Sequence, residues 1–383
     1  MRFSILLPTR NGDNFLDNCI RSILEQDHAD FELIISDNAN TDATPDIIRT
    51  FSSDPRLTVV HQKKPIPVSD NWTAALQASC GDYVLMMGDD DYLLPGALQQ
   101  LDETLIRHSD PDCVLYNGYS YVTPNAIADN PESYWAREHY HYGPDFNREG
   151  VIDRTRRLDI VCNMFRFRPR IPLNMQTTLF ARRAIEKECG GVFRAPFPDH
   201  YLLNALLIAS DTWIYQPKRL VIVGVTPKSF GHYFYSQKAG EGLSYLGIST
   251  HFPGALPGSE LLNGMCAWLL DLKAHYPKEL AGIEMDRPSY VRRQVYSWLQ
   301  QHRYGSVSTK ELMARLTNLS SGDLIRLVTT VLDAESWRRL VRLLLTRQKS
   351  QAETLWHGLM PLAGIENIRE FATWLRQHPD ECQ

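Results

Sequence analysis

A buried strand followed at once by three carboxylates is the feature that most constrains this chain of 383 residues. Residues 83–87 form an unbroken apolar run, typical of a strand buried on both faces of an α/β sheet. Asp89, Asp90 and Asp91 follow, and Pro95 then suits the first turn of a helix. Adjacent carboxylates repel one another, so the pattern predicts a bound cation, and oxygen ligands favour Mg²⁺ or Mn²⁺. The alternative is that Asp91 caps the helix while its neighbours are solvated.

Length and composition predict a soluble protein of two domains, or of one large domain with an appendage. The net charge of −5 argues against nucleic acid as a partner. The seven cysteines are scattered without a Cys-x-x-Cys pair, which indicates reduced thiols in a cytoplasmic compartment. We expect neither a signal peptide nor a membrane span. The predicted location is therefore the cytoplasm, with the inner face of the membrane as a further option.

Strands alternate with helical segments along the first hundred residues. Apolar runs at residues 3–7, 31–35 and 57–61 predict strands, and apolar residues at helical spacing separate them. Such βαβ units build a mostly parallel sheet, whose ligands bind beyond the carboxyl ends of the strands. Polar residues follow three of these strands: Pro8, Thr9, Arg10 and Asn11, then Asp37, then the acidic triplet. We therefore expect Asp37 and the acidic triplet to lie on this binding edge.

In this order the motifs resemble those of the family 2 glycosyltransferases, which have the nucleotide-sugar-binding GT-A fold. The resemblance is carried by Phe3-Ser4-Ile5-Leu6-Leu7-Pro8-Thr9-Arg10-Asn11, Glu32-Leu33-Ile34-Ile35-Ser36-Asp37-Asn38 with Thr41-Asp42 and Thr44, Gly81-Asp82-Tyr83, and Gly88-Asp89-Asp90-Asp91 through Pro95. It implies a GT-A catalytic domain over residues 1–235. It also implies an inverting, metal-dependent transfer from a nucleoside diphosphate sugar, UDP-linked by preference, to a hydroxyl of a glycan or lipid-linked saccharide. Bacterial surface polysaccharide synthesis is the setting that this family suggests.

The resemblance assigns roles on the donor side. Asp37 matches the acid that accepts the imide N–H of a pyrimidine, with a turn cap as the alternative. The loop from Pro8 to Asn11 would present backbone groups and Arg10 to the nucleotide, unless it is a plain turn. Asn71 matches a residue of the donor-side helix but suits a helix cap equally well. Gly88 stands where many relatives have an acid, which leaves the metal ligands open: we favour Asp90 and Asp91, with Asp89 nearer the donor sugar.

Three features of the second half of this domain concern the acceptor and the diphosphate. Asp199, in a loop after Gly190-Gly191, matches the family's general base, and a helix cap is the alternative. His232 is a candidate to complete the metal or diphosphate site, or else an exposed loop histidine. Arg166, Arg168 and Arg170 alternate like an edge strand whose basic face meets a phosphorylated acceptor or water.

Helical patterns dominate after residue 260. Residues 236–260, rich in Gly, Ser and Pro, predict a linker or a lid, and residues 261–383 predict a helical C-terminal domain. The helical patterns cover residues 261–275, 290–301, 310–316, 322–346, 351–359 and 365–375. A basic amphipathic segment within them, from Trp337 to Lys349, suits either an anionic membrane surface or a core-facing helix, and we favour the core. These helices also offer a surface for oligomerisation.

Two other functions remain open on the sequence alone. The absence of an acid at Gly88 keeps open a catalytically inactive relative that acts as a scaffold for assembly enzymes. A sugar-phosphate nucleotidyltransferase shares the general fold, but it would need a Gly-rich first loop with Arg and Lys, which residues 8–12 do not provide.

Overall fold

One central sheet organises the chain. In the computed structural model, which describes residues 3–126, 131–143, 146–168, 173–188, 190–227, 229, 252–258, 260–328, 334–346 and 358–379, eleven strands form this sheet. Eight of these described strands follow one another in a continuous hydrogen-bonded path, and the other three join it from the side. Helices flank the sheet and a helical region follows it. The α/β class expected from the sequence is therefore confirmed.

The first half of the sheet is parallel. Its strands are β1 (Phe3–Thr9), β2 (Phe31–Asp37), β3 (Leu57–His61) and β4 (Tyr83–Met86), in the order β4-β1-β2-β3. The helices α1 (Leu16–Leu24), α2 (Thr44–Thr50) and α3 (Val68–Gln77) connect them. Every residue of β2 and β4 is buried, which explains their continuous apolar runs. The parallel arrangement brings the carboxyl ends of β1, β2 and β4 to one edge.

The second half of the sheet is mixed, with parallel and antiparallel pairs. Its elements are β5 (Tyr92–Leu93), α4 (Ala97–Arg107), β6 (Cys113–Val122), β7 (Ser133–Ala136), β8 (Gly150–Val151), α5 (Arg154–Phe165), a 3₁₀ turn (Met175–Thr177), β9 (Thr178–Ala181), α6 (Arg182–Ile185), α7 (Pro198–Ala209) and β10 (Trp213–Val225). The strand β9 lies antiparallel between β4 and β6, whereas β10 runs parallel to β6. The short β5, directly after the acidic triplet, pairs with β10.

The expected basic edge strand at residues 165–170 is absent from its described part. Phe165 ends α5, Arg166 caps that helix, and Phe167 has a positive φ of 53° with a buried side chain. The alternating Arg and Phe residues therefore lie at the end of a helix and in the turn that follows it, where the Phe165 and Phe167 side chains are both buried. Residues 169–172 lie outside the described part of the chain.

The C-terminal helices build a second apolar core around Trp298 and Tyr290. They are α8 (Glu260–His275), α9 (Arg287–Arg303), α10 (Thr309–Thr317), α11 (Ser321–Val328) and α12 (Ala334–Leu345). Phe252 and Leu256, from the expected linker, are buried in the same core, while residues 236–251 and 259 lie outside the described part. The single helical pattern over 322–346 corresponds to α11 and α12. No helix among those described has both the length and the apolar composition needed to cross a bilayer.

Most of the apolar face of the helix α12 is exposed, whereas the sequence analysis favoured a helix that packs against the core. Leu343 is buried, but Trp337, Val341, Leu344 and Leu345 are 51%, 48%, 63% and 76% exposed. An amphipathic pattern shows that a helix has an apolar face but does not show what covers it. Residues 347–350, at the end of the predicted basic segment, lie outside the described part.

The last described segment returns to the central sheet instead of joining the other C-terminal helices. The strand β11 (Met360–Leu362) pairs antiparallel with β7, and α13 (Ile368–Gln377) packs against β5 and β10. The ring of Phe371 stacks on that of Tyr121, with 5.3 Å between centroids. The region expected to form one helical domain, 261–383, therefore contributes its end to the first domain.

Candidate functional site

The loops that follow β1, β2 and β4 meet, as their common edge requires. The Thr9 hydroxyl donates a 2.6 Å hydrogen bond to Asp89 Oδ2, and the Asn38 amide donates to the Thr9 carbonyl at 3.2 Å. Gly12 lies so close that a Cβ there would collide with Asp89 Oδ2. The first loop therefore fixes the position of the acidic triplet as well as that of the loop after β2.

Arg10 and Asn11 hold the loop after β2 in place. The Arg10 guanidinium donates to the carbonyls of Asn38 and Ala39, and the Asn11 amide donates to Asn40 Oδ1. Asn11 Oδ1 accepts the amide of Thr41 at 2.9 Å. Pro8, the other residue predicted in this loop, is the penultimate residue of β1. The two loops thus form one hydrogen-bonded unit at the edge of the sheet.

Asp37 occupies the end of β2 and is only 6% exposed. Its Oδ1 accepts the Asn40 backbone amide at 3.0 Å and the Asn40 side-chain amide at 2.7 Å. Its Oδ2 lies 3.1 Å from His61 Nδ1, and the His61 side chain is 66% exposed. The turn-cap geometry weighed above is thus present. His61 was not predicted from the sequence as a site residue, although it is the last residue of β3 and lies directly opposite Asp37 in the sheet register.

Asn71 joins α3 to β2 beneath the loops. Its Oδ1 accepts the Ser36 hydroxyl at 2.7 Å, and its Nδ2 lies 3.4 Å from the Ser36 carbonyl oxygen. The N-cap of α3 is Pro67, so Asn71 does not cap that helix. At 4% exposure, Asn71 lies below the surface of the site.

Asp91 is the most deeply buried of the acidic triplet, at 1% exposure. Its Oδ2 accepts the Gly88 amide at 2.6 Å, and its Oδ1 accepts the Gly224 amide at 3.0 Å. A Cβ at Gly224 would collide with the Asp90 carbonyl oxygen, so glycine permits this approach of β10. Burial, together with the nearby Asp90 charge, raises the pKa of Asp91 well above its usual range. Both Asp91 oxygens therefore anchor the acidic loop to backbone amides.

Asp90 faces the segment that follows β10. Its Oδ2 accepts the Ser229 hydroxyl at 2.7 Å and the Thr226 hydroxyl at 3.3 Å. Burial raises the pKa of Asp90, and the hydrogen bond from Ser229 opposes that shift. Ser229 and Thr226 were missed from the sequence, although they follow a strand that ends at the same edge. His232, predicted in this segment, lies outside the described part of the chain.

The donor set suits a divalent cation only in combination with a ligand. Across the described residues, no three His, Cys, Asp or Glu side chains are grouped so as to hold a metal ion. However, Mg²⁺ is commonly bound by one or two carboxylates together with substrate phosphates rather than by a cage of protein ligands. Asp89 and Asp90 supply hard oxygen ligands of that kind. The residues present therefore fit a cation whose coordination is completed by phosphate oxygens.

Asp199 lies in the first turn of α7, after Pro198. The N-cap is Phe197 and no side chain caps the helix, so the cap considered above does not form. Within the described part of the chain the half-buried Asp199 carboxylate has no hydrogen-bond or ion-pair partner. The loop that leads to it carries Phe193, whose ring packs edge-on against Trp72 of α3 at 5.4 Å. This contact ties the Asp199 loop to the helix that carries Asn71.

Comparison with known proteins finds similarity mainly in the first half of the chain. The model of the family described as "Glycosyl transferase family 2" matches residues 4–171. The abequosyltransferase RfbV of Salmonella typhimurium is 27% identical over 161 residues, which are 40% of this chain and 48% of that protein. The GalNAc(5)-diNAcBac-PP-undecaprenol beta-1,3-glucosyltransferase of Campylobacter jejuni is 29% identical over 130 residues, or 33% of this chain and 39% of that protein. The chain thus spans less than half the length of either relative.

A solved structure of S. aureus TarS 1–349 in complex with UDP-GlcNAc is 14% identical to the chain. The alignment covers 78% of this chain and 81% of that one, with a TM-score of 0.48.

Proposed function

We propose that the protein, whose residues 4–171 match the model of glycosyl transferase family 2, is a member of that family and transfers a sugar from a nucleoside diphosphate donor to a hydroxyl acceptor. The observation that carries the proposal is the meeting of three strand-end loops through the bond between Thr9 and Asp89. This meeting places carboxylates beside a preformed loop at the edge where α/β sheets bind ligands. The sheet, parallel from β4 to β3, agrees with the GT-A fold that the family implies.

For the nucleotide we propose a uracil base at Asp37. The Oδ2 of Asp37 is 3.1 Å from the ring of His61, which is largely exposed and therefore costs little to displace. A pyrimidine imide N–H would take the place of His61 at this oxygen, since an ionised carboxylate is an acceptor only. The Oδ1 would keep its bonds to Asn40 and so hold the turn that faces the base. This arrangement supports a UDP-linked donor.

For the diphosphate we propose that Asp90, with Asp89 beside it, holds Mg²⁺ or Mn²⁺. The cation, when bound, neutralises the charge that develops on the leaving diphosphate. Asp91 would hold the acidic loop in place rather than bind the cation, because both of its oxygens already accept backbone amides. Arg10 and Asn11 would shape the nucleotide loop, with Asn71 bracing α3 behind it. His232 stays a candidate additional ligand.

For the acceptor we propose Asp199 as the general base of an inverting transfer. Attack on the anomeric carbon requires that the acceptor hydroxyl lose its proton, and a carboxylate at hydrogen-bond distance can take it. Asp199 meets the first condition for this role, because its carboxylate has no partner among the described residues. The name of the Campylobacter jejuni relative, a glucosyltransferase named for an undecaprenol-linked glycan, supports a glycan or lipid-linked saccharide as acceptor, and we propose bacterial surface polysaccharide synthesis as the setting.

The test is a panel of UDP-, GDP-, dTDP- and CDP-sugars, each incubated with the protein and Mn²⁺, Mg²⁺ or EDTA. We expect release of nucleoside diphosphate from one UDP-sugar, with the activity lost in EDTA. Asp90→Asn should abolish turnover and remove the effect of Mn²⁺ on UDP binding. The matched control is Asp46→Asn, because the Asp46 side chain is 72% exposed and distant in sequence from the acidic loop. Failure to bind or cleave any nucleotide sugar, with correctly folded protein, would leave the scaffold alternative standing.

A further inference from the structure

A cavity of about 270 Å³ lies in the C-terminal helical region, among α9, α11 and α12. Much of its wall is apolar and includes Leu327, Trp337 and Leu340. The elements that form this cavity differ from those that carry Thr9, Asp37 and the acidic triplet, and no residue described in the candidate functional site lines the cavity. The cavity therefore belongs to a separate surface with its own ligand chemistry.

Four arginines and no acidic residue are among the described residues that line this cavity: Arg168, Arg292, Arg293 and Arg339. Two of them are positioned by local bonds, since Arg292 donates to Ser289 Oγ at 2.9 Å and Arg293 donates to the Phe167 carbonyl. Each guanidinium carries five N–H donors in a planar fork that matches a phosphate. The polar part of the cavity is thus suited to a phosphate group.

The exposed apolar face of α12 adjoins the cavity. Trp337, which lines the cavity, shares one side of the helix with Val341, Leu344 and Leu345, because these residues follow at intervals of four, three and one. On helix α11, which lines the cavity through Leu327, two further apolar residues, Leu324 and Ile325, are 48% and 70% exposed. Large exposed apolar patches mark surfaces that bind a partner or a membrane.

The charge of this region is opposite to that of the whole chain. Residues 287–346 contain ten Arg and Lys against four Asp and Glu, a formal charge of +6, whereas the chain as a whole carries −5. A self-complementary dimer through this face would bring two such basic regions together and would be opposed by their repulsion. Charge complementarity therefore favours an anionic partner.

We propose that this cavity and the α12 face form a docking site for an anionic phospholipid surface. The arginines hold a headgroup phosphate, while Trp337, Leu344 and Leu345 enter the boundary between headgroups and acyl chains. A soluble anion would use the arginines but would leave the apolar face in water. The inference goes beyond glycosyl transfer and does not depend on it, and it would place the catalytic sheet beside a membrane.

The test is flotation of the full chain with phosphatidylcholine vesicles, with and without phosphatidylglycerol. We expect the protein to float only with the anionic vesicles and to detach as salt is added. The double variant Leu344→Glu, Leu345→Glu should bind more than about tenfold more weakly, since it replaces inserting apolar side chains with charges that the vesicles repel. The matched control is Ile106→Glu, because Ile106 is 68% exposed on α4, outside this region.

A second variant tests the phosphate contact. Arg168→Gln with Arg339→Gln should weaken binding by about fivefold for each arginine removed. The proposal is overturned if the protein does not float with anionic vesicles, or if Ile106→Glu weakens flotation as much as the α12 variant does. It is also overturned if the α12 variant converts a dimer into a monomer without changing flotation, which would identify a second copy as the occupant. Circular dichroism confirms that each variant is folded.

Discussion

Thr9 and Asp89, eighty residues apart in the chain, are joined by a 2.6 Å hydrogen bond that locks the loop after β1 to the acidic loop after β4. Thr9 is 2% exposed and Asp89 is half-buried, so the donor end of the bond is shielded from solvent. A hydrogen bond to a charged acceptor contributes about 1.5–3 kcal/mol, more than a neutral pair. The relative position of the two loops therefore depends to a large extent on one hydroxyl.

Thr9→Val should weaken donor binding, because the isosteric side chain cannot donate to Asp89. We expect a loss of about tenfold in UDP affinity, corresponding to about 1.4 kcal/mol. Isothermal titration of UDP in Mn²⁺ measures it. Thr9→Ser keeps the hydroxyl and serves as the control, which should bind within about threefold of the unmodified protein. Equal affinity in all three proteins would mean that the bond has no part in shaping the site.

Asp91→Ala should destabilise the protein rather than act on the metal alone. The change leaves the Gly88 and Gly224 amides without their acceptor in a buried position, which costs about 1–3 kcal/mol for each unsatisfied group. Urea unfolding measures the lost stability. Asp90→Ala is the matched comparison, and it should affect Mn²⁺-dependent UDP binding more than stability. The reverse order of effects would make Asp91 a direct ligand.

Asp199→Asn should remove proton transfer without disturbing the helix. The amide retains the shape of the carboxylate but no longer accepts a proton, so the transfer rate should fall by about 10²–10⁴ while donor affinity stays unchanged. Single-turnover transfer and UDP titration separate the two effects. Asp211→Asn is the control, because that exposed carboxylate is ion-paired with Lys187. A transfer rate within about threefold of the unmodified enzyme would assign the base to another residue.

Asp323 should stabilise the helical region in a pH-dependent way. The hydrogen bonds from Arg287 lower the pKa of Asp323 from 3.8 to about 2. Because the folded-state pKa lies below the unfolded one, the contribution is complete above about pH 5 and is lost as the pH falls towards 2. At pH 7 Asp323→Asn should therefore cost about 2 kcal/mol.

Urea denaturation of this variant at pH 7 and at successively lower pH checks the prediction. The difference from the unmodified protein should narrow as the pH falls below about 4. Asp46→Asn is the control, since the Asp46–Arg49 pair has both side chains more than 70% exposed and contributes little. A constant difference at every pH would show that Asp323 acts by packing and not by its charge.

The parallel strands and their meeting edge could be predicted because the signal is local. Strands buried on both faces appear in the sequence as continuous apolar runs, and the connecting helices show their own period, so a mostly parallel sheet could be predicted, although the order of its strands could not. The placement of Asp37 and the acidic triplet at the carboxyl edge followed from that rule, whereas the part of Thr9, Arg10 and Asn11 was implied by the family resemblance. What the rule could not provide was the direction of each side chain.

Contacts made from distant segments were beyond sequence reasoning. Ser229 and Thr226 reach Asp90 only because β10 pairs with β5, and nothing in either strand specifies that partner. Similarly, the sequence around an acid that precedes a helix is the same whether its carboxylate accepts backbone amides, as that of Asp91 does, or binds a ligand. The apolar face of α12 has one pattern whether it is buried or exposed, so its exposure could be found only from the structure.

The return of the chain end to the sheet has a consequence for synthesis on the ribosome. The strands β1 to β10 are complete by residue 225, yet the aromatic surface formed by Tyr92, Tyr121 and Trp135 is covered by α13, whose residues emerge more than a hundred positions later. During that interval the sheet presents an uncovered apolar patch and the free edge of β7. Until the last helix has been made, the nascent sheet therefore exposes a patch and an edge of the kind through which incomplete chains pair with one another.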